Sequence, residues 1–186
     1  MKRETTLNTQ SSKLVLPNGK HDHIQGSLDA PLKLVEYGDF ECPYCGEAYQ
    51  SLNVVKDQLG DQLCFAFRNF PLAEVHPYAE RAAEAAEAAG AQGRFWEMHD
   101  LLFENQDALE DDDLVDYART IGLDVSRFVR ELEAGTHLPR VREDFISGVR
   151  SGVGGTPTFF INGHRHEGEY DPDTLIGALT ETATAH

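Results

Sequence analysis

The chain has 186 residues, enough for one domain with a substantial hydrophobic core. Its 32 acidic and 16 basic residues give a formal net charge of -16, which argues against a nucleic-acid-binding surface, because such surfaces need clustered cations. Its three cysteines are too few for a disulfide-rich scaffold, and the sequence contains no apolar run of the length that membrane insertion requires.

The first 30 residues are polar apart from an apolar patch at residues 14–16, which predicts an N-terminal arm with at most an edge strand. His21 and His23 flank Asp22, and two such histidines would suit a shared metal ion. Ordinary residues of a solvated arm are the simpler interpretation, because further ligands are not apparent. The arm also lacks the apolar stretch of a secretory signal. We therefore expect a cytoplasmic protein, or a periplasmic or extracytoplasmic one if a leader has been removed.

The sequence is organised around a strand that leads into a Cys-x-x-Cys pair. The apolar run Leu32–Tyr37 predicts a buried strand, and Cys-Pro-Tyr-Cys at residues 42–45 opens a helical pattern that runs to about Gln58. A Cys-x-x-Cys at a strand-to-helix junction is typical of a redox pair. The alternatives are a structural disulfide and half of a zinc site, but a zinc site needs more ligands and the only other cysteine is Cys64.

The spacing of the pair predicts a different role for each cysteine. Pro43 suits the first position of a helix, where its missing N–H is not needed, so Cys42 becomes the N-cap and Cys45 the third helical residue. A thiolate at the N-cap faces free backbone N–H groups and the positive end of the helix dipole, and both lower the pKa of a thiol. We therefore expect Cys42 to be the exposed, attacking thiol and Cys45 to be the resolving thiol.

Two further residues near the pair bear on its chemistry. Glu36 lies among the apolar residues of the first strand, and a buried acid is costly unless it has a partner or a task. We interpret Glu36 as buried beside the cysteines, with a solvent-facing glutamate as the alternative. A second predicted strand, Leu63–Phe67, contains Cys64, which we interpret as a small buried hydrophobic residue without a redox role.

The middle of the chain, from about residue 74 to residue 150, shows helical periodicity interrupted by glycine stops. His76, Trp96 and His99 in this region would suit a substrate groove, although core packing or capping is the commoner use of such residues. The strand pattern returns at Thr156–Ile161 and is followed by Asn-Gly, a strong hairpin signal.

Taken in order, these elements imply a right-handed βαβ unit with a parallel strand pair, and the closing hairpin makes the sheet mixed. The Cys-x-x-Cys motif together with Gly-Thr-Pro-Thr at residues 155–158 resembles the thioredoxin superfamily, and the helical block between them resembles the DsbA family of thiol–disulfide oxidoreductases. More narrowly, the segments Val35–Phe40, Arg68–Leu72 and Thr156–Gly163 resemble bacterial DsbA-like proteins. We therefore expect an α/β fold: a thioredoxin fold with a mixed central sheet and a helical insertion.

The resemblance implies a domain division and roles for several residues. Residues 1–30 form the arm, residues 31–73 and 151–184 the thioredoxin-like domain, and residues 74–150 the helical insertion. Pro157 is implied to be cis and to face the cysteines, with the Thr156 backbone binding a substrate peptide as an added strand. Pro43 and Tyr44 are the further substrate contacts that we expect. Glu36 falls where the family carries a buried acid, so it is implied to relay a proton to or from Cys45.

The expected function is thiol–disulfide exchange with protein thiols or disulfides and with an unidentified redox partner. No cofactor or metal is expected beyond the redox-active disulfide between Cys42 and Cys45. The Pro-Tyr dipeptide differs from the Pro-His of DsbA itself and resembles glutaredoxins, so a glutathione-linked disulfide reductase is one alternative. A non-enzymatic redox-sensing module, in which oxidation of the pair changes the affinity for a partner, is another.

Overall fold

A computed structural model of the chain describes residues 16–184, with side chains described to residue 181. A mixed sheet lies at its centre, with the strand order β1-β3-β2-β4-β5. The strands are β1 His23–Gln25, β2 Leu32–Gly38, β3 Leu63–Asn69, β4 Thr158–Ile161 and β5 His164–Arg165. β2 and β3 run parallel, whereas the pairs β1–β3, β2–β4 and β4–β5 are antiparallel. The predicted mixed sheet is confirmed.

Helices cover both faces of this sheet. They are α1 Pro43–Leu59, α2 Ala79–Gly90, α3 Phe95–Glu104, α4 Asp111–Thr120, α5 Val125–Glu133, α6 Leu138–Arg150 and α7 Pro172–Thr184, and a 3-10 turn, Gly60–Gln62, joins α1 to β3. The helices α2 to α6 lie between β3 and β4, as the helical block of the sequence predicted. The division into domains at residues 30, 73 and 150 stays a prediction. Among the helices that the structure describes, none has both the length and the apolar character needed to span a bilayer.

The central strand β2 is buried on both faces. Leu32 and Leu34 belong to the main core with α1, and Val35 and Tyr37 point to the opposite core, against which Phe145 of α6 packs. Such double coverage explains the nearly continuous apolar run in the sequence, because each face of the strand meets a helix rather than water. The cysteine motif follows directly after the last residue of this rigid strand.

The N-terminal arm is more closely attached to the domain than the sequence predicted. β1 pairs with β3 as an edge strand, whereas the apolar patch at residues 14–16 lies mostly outside the described residues and its last residue, Leu16, is exposed. The His23 ring stacks on Phe95 with centroids 3.5 Å apart, and its Nε2 lies 2.9 Å from Glu87 Oε2. The prediction of a solvated arm is therefore wrong for His23, because strand pairing and an aromatic stack hold it against the domain.

Candidate active site

The cysteine motif lies where the loop after β2 turns into α1. Cys42 is the N-cap residue, with an extended backbone (φ -72°, ψ 121°), and Pro43 is the first helical residue, as the spacing predicted. The Cys42 carbonyl accepts hydrogen bonds from the backbone N–H groups of Cys45 and Gly46 at 3.1 and 3.2 Å. The first turn of α1 therefore fixes the position of both sulfur-bearing residues relative to each other.

Cys42 is more enclosed than the sequence predicted. The residue is 3% exposed, and its Sγ donates a hydrogen bond to the Thr156 carbonyl at 3.5 Å. The prediction of an exposed thiol is therefore wrong, because the loop before β4 lies against the N-terminus of α1. The Cys42 thiol makes no N-cap hydrogen bond, because it points to Thr156, although the nearby backbone N–H groups of Cys45 and Tyr44 still favour the thiolate.

The loop before β4 places Thr156 and Pro157 against the motif. The peptide bond between them is cis. The Thr156 hydroxyl is buried and makes no hydrogen bond to the described residues. Thr156 thus offers Cys42 two kinds of partner: its carbonyl accepts from the thiol, and its hydroxyl can donate to the thiolate.

The surroundings of Cys42 favour its thiolate. The hydrogen bond from the Cys45 thiol does most to lower the pKa of Cys42, which falls to about 5. Burial opposes this effect, and the Thr156 hydroxyl and the backbone N–H groups of Cys45 and Tyr44 add to the lowering. At neutral pH Cys42 is therefore in the form that attacks disulfides.

Cys45 has the opposite character. It is fully buried, and burial is the main cause that raises its pKa well above the ordinary value. Its hydrogen bond to Cys42 and the charges of Glu36 and Cys42 raise the pKa further, while the Asp39 N–H, 3.5 Å from Sγ, opposes them. Cys45 therefore stays protonated until a base removes its proton.

Cys64 lies apart from this pair. It is fully buried in β3, and burial raises its pKa. All three cysteines are free thiols. Among the side chains that the structure describes, no group of three or more His, Cys, Asp and Glu is arranged to hold a metal ion.

Glu36 is buried in the sheet beneath the pair. It is 1% exposed, it lies opposite Phe67 of β3 and Phe159 of β4, and its Oε1 has no hydrogen-bond partner among the described residues. Burial raises the pKa of Glu36 to about 8, with a contribution from the charge of Cys42, while Lys56 lowers it. The predicted burial is confirmed. A carboxyl with this pKa can accept and return a proton near neutral pH.

The contact between Asp39 and His76 is a part of the site that the sequence did not predict. The Asp39 carboxylate accepts from the backbone N–H groups of Glu41 at 2.8 Å and Leu72 at 2.9 Å, and His76 Nδ1 lies 2.8 Å from its Oδ2. Asp39 lies directly after β2 and three residues before Cys42, and this position could have marked it as a site residue. The partner His76 lies 37 residues further along the chain, so no local pattern could join them.

Trp96 and His99 belong to the core. His99 is 1% exposed, and its ring lies 4.9 Å from that of Phe67 and 5.0 Å from those of Trp96 and Phe103. Burial lowers the pKa of His99, so it is neutral at pH 7. The interpretation as core-packing residues is confirmed for these two, whereas His76 lies at the cysteine site.

Gln106, in the loop between α3 and α4, connects the helical block to the motif. Its Nε2 donates to the carbonyls of Phe40 at 2.9 Å and Cys42 at 2.8 Å. A Cβ at Gly46 would lie 2.2 Å from Gln106 Oε1, so this contact requires a glycine there. In the sequence Gln106 is an ordinary polar loop residue, and only the folded structure identifies it.

Comparison with known proteins supports this architecture. A family model described as thioredoxin matches residues 18–181. Oxidised BdbD from Bacillus subtilis has a TM-score of 0.80 at 23% identity, covering 92% of this chain and 98% of that chain. The alpha-DsbA1 of Wolbachia pipientis has a TM-score of 0.76 at 20% identity, covering 94% and 98%. The predicted thioredoxin fold with a DsbA-like helical insertion is confirmed.

Curated relatives with higher sequence identity than these structures are named as antiporters rather than as thioredoxin-like proteins. The chain is 49% identical over 161 residues to a Salinispora arenicola protein named Na(+)/H(+) antiporter NhaA 1, and this covers 86% of the chain and 24% of that protein. The chain thus spans about a quarter of the length of the curated relatives that it matches. The prediction of a cytoplasmic protein is wrong by this comparison, because an antiporter name does not fit a cytoplasmic protein.

Proposed function

The chain belongs to the thioredoxin family, and from this premise we propose that it is a protein thiol–disulfide oxidoreductase that acts through Cys42 and Cys45. The observation that carries the proposal is the contrast between two sulfurs in one helical turn. The pKa of Cys42 is lowered to about 5, while the pKa of the fully buried Cys45 is raised well above its ordinary value. In such a pair one sulfur is a thiolate that can attack a disulfide, and the other remains a protonated thiol.

The first step is attack by the Cys42 thiolate on one sulfur of a substrate disulfide. A new sulfur–sulfur bond joins Cys42 to the substrate, the substrate disulfide breaks, and its other sulfur leaves as a thiolate that takes up a proton. This gives a mixed disulfide. The low pKa of Cys42 matters here because the thiolate, not the thiol, is the nucleophile.

Cys45 carries out the second step. Glu36 takes the proton of the Cys45 thiol, and the resulting thiolate attacks the Cys42 sulfur. The mixed disulfide breaks, the second substrate sulfur leaves and is protonated, and the Cys42–Cys45 disulfide remains. Two electrons have then passed from the pair to the substrate, and the reverse sequence oxidises a substrate dithiol. The buried position of Glu36 and its pKa of about 8 support its role as the base.

The substrate surface that we propose surrounds the Cys42 sulfur. Thr156 and Pro157 lie on one side, and the Thr156 carbonyl is already in contact with Sγ. Pro43 and Tyr44 follow Cys42 directly in the first turn of α1, where Tyr44 is 60% exposed. An exposed aromatic ring with a hydroxyl suits contact with a protein chain, because it offers apolar area and a hydrogen-bonding group together.

A turnover assay tests the proposal and separates it from the glutathione-linked alternative. The reduced protein is mixed with insulin and dithiothreitol in one arm, and with a glutathione mixed disulfide, glutathione, glutathione reductase and NADPH in the other. We expect turnover of insulin in the first arm, abolished by Cys42→Ser. Turnover confined to the glutathione arm would favour the alternative, and absence of turnover in both arms would leave the redox-sensing module.

A further inference from the structure

The segment between β3 and α2 is fastened to the loop that carries Cys42. Leu72 N–H and His76 Nδ1 both reach Asp39 Oδ2, and Tyr78 N–H donates to Glu41 Oε2 at 2.6 Å. The Asp39 side chain has no exposed surface, whereas 20% of the His76 side chain is exposed. The Asp39 backbone in turn contacts both cysteines: its carbonyl accepts from the Cys42 N–H at 3.1 Å, and its N–H lies 3.5 Å from Cys45 Sγ. His76 is therefore a partly exposed imidazole bound to a buried carboxylate that lies against the cysteine motif.

The contact with Asp39 determines how His76 is protonated. A carboxylate only accepts hydrogen bonds, so Nδ1 carries a hydrogen, and a second proton on Nε2 makes the ring a cation. Partial burial disfavours this cation, but the hydrogen bond to Asp39 and the charges of Asp39, Cys42 and Glu41 outweigh burial and hold the pKa of His76 above its ordinary value. The groups that favour the cation therefore include the reactive sulfur itself.

We propose that His76 is a positioning residue that holds a positive charge near the Cys42 thiolate, with Asp39 as its anchor. The inference rests on the proposed thiol–disulfide exchange and adds a residue to the same site. Attraction between two charges is reciprocal, so a thiolate that favours the imidazolium is itself favoured by it. Neither Pro43 nor Tyr44 carries a charge that could do this within the motif, so the cation comes from another segment of the chain.

The charge acts on one redox state more than on the other. In the dithiol form the charge of the Cys42 thiolate interacts favourably with the imidazolium, whereas the disulfide form has no charge on sulfur for it to stabilise. His76 therefore stabilises the reduced protein and makes Cys42 a better leaving group in the mixed disulfide. As the pH rises through the pKa of His76, the ring loses its charge and this stabilisation is lost.

The test measures the titration of Cys42 by site-resolved alkylation between pH 3 and 9. His76→Gln removes the charge but keeps an N–H donor for Asp39, and His76→Lys keeps a charge. We expect His76→Gln to lower the acid dissociation constant of the Cys42 thiol about two- to fivefold, the range for partly exposed charge pairs, and His76→Lys to restore most of it. The matched control is His137→Gln, because His137 lies 2.8 Å from Glu131 and is 17% exposed, but belongs to the helical block. It should leave the Cys42 titration unchanged.

An unchanged Cys42 titration in His76→Gln overturns the inference, and so does an equal change in the Gln and Lys variants, which would indicate a purely structural role. A second measurement uses the unaltered protein: the pKa of His76 by NMR should be higher in the dithiol form than in the disulfide form, and equal values overturn the inference. Neither measurement needs a substrate. A protein in which His76 and Cys42 are coupled but insulin is not reduced would contradict the proposed function alone.

Discussion

Cys42 and Cys64 are the residues whose reactivities should differ most. The contacts around Cys42 lower its pKa to about 5, while burial raises the pKa of Cys64. In the native protein we expect alkylation of Cys42 to follow a single inflection near pH 5, far below the value of about 8.5 for a free thiol, and Cys64 to react only after unfolding. Mass spectrometry of peptides alkylated at each pH measures both. Equal reactivity of the two thiols near pH 8.5 would contradict the site assignment.

Glu36→Gln should slow the release of substrate from the mixed disulfide while the fold stays intact. The variant keeps the shape of the side chain but cannot accept the proton of Cys45, and positioned proton transfer typically accounts for about 10²–10⁴-fold in rate. Stopped-flow measurement of release between pH 6 and 9 gives the effect. Equal release rates for the variant and the unaltered protein across this range would show that Glu36 has no relay role.

The same substitution should raise stability, with a pH dependence of defined sign. Below the ordinary pKa of 4.5 Glu36 is protonated whether the chain is folded or not. Between pH 4.5 and about 8 the unfolded chain loses this proton while the folded protein keeps it, so the free energy of unfolding falls as the pH rises. Glu36→Gln removes that loss, and at pH 7 it should raise the free energy of unfolding by on the order of 1–3 kcal/mol. Urea unfolding from pH 4 to 9 measures the difference, and parallel pH dependences for the two proteins would contradict the raised pKa of Glu36 in the folded state.

At the residue scale, the sequence predicted positions correctly where the spacing of residues along the chain determines them. The placement of Cys42 at the N-cap and Cys45 one turn further follows from helix geometry, and the burial of Glu36 follows from its apolar neighbours. The enclosure of Cys42 does not follow from local spacing, because the covering residue, Thr156, lies 114 residues away in the chain, and only the family resemblance placed its loop beside the cysteines.

At the scale of the element, the first turn of α1 predicts that the two cysteines fail in different ways. Cys42→Ser removes the nucleophile, so no covalent adduct should form. Cys45→Ser keeps the nucleophile but removes the resolving thiol, so the mixed disulfide should accumulate and be released by reductant. Cys64→Ser is the matched control from β3 and should behave as the unaltered protein does. Non-reducing gels of the purified variants after incubation with a disulfide-containing protein distinguish these outcomes, and adducts on Cys42→Ser would reverse the assignment.

The predicted and observed boundaries of the strands and helices agree to different degrees. The predicted ends of β2 and β3 each fall short of the observed ends, because the parallel ladder continues to the pair Gly38 and Asn69. β1 was not placed correctly, since a three-residue edge strand with partly exposed side chains has no apolar alternation to mark it. Strongly periodic segments such as α1 were predicted to within a residue.

At the scale of the whole molecule, the site is assembled from segments that are distant in the sequence. Asp39 follows β2, His76 precedes α2, Gln106 joins α3 to α4, and Thr156 precedes β4. Asp39 and Gln106 were ordinary polar residues in the sequence, and His76 was only one of several candidates for a substrate groove, because the contacts that identify them form only after the sheet and the helical block have packed together. Family resemblance supplied Thr156 and Pro157, whereas Asp39 and Gln106 were found from the structure alone.

Gln106 allows a test of whether the helical block supports the chemistry or only the stability. Its Nε2 bonds to the carbonyls of Phe40 and Cys42 hold the turn into α1, so Gln106→Ala should lower the free energy of unfolding by about 1–2 kcal/mol and also slow substrate exchange. Gln92→Ala is the matched control, because Gln92 also makes two side-chain hydrogen bonds, both to the backbone of Asp124, within the helical block. It should cost similar stability and leave the exchange rate unchanged.

Comparing Gln106→Ala with Gln92→Ala shows whether the Gln106 hydrogen bonds position the cysteine motif or only stabilise the fold. Urea unfolding gives the loss of stability, and insulin turnover below the midpoint of either transition gives the loss of rate. If Gln106 positions the motif, the two variants have similar midpoints and Gln106→Ala alone has the slower turnover, with an altered pH profile for the alkylation of Cys42. If both variants exchange at the same rate, the helical block supports the fold without positioning the thiols, and the bonds to Phe40 and Cys42 are structural.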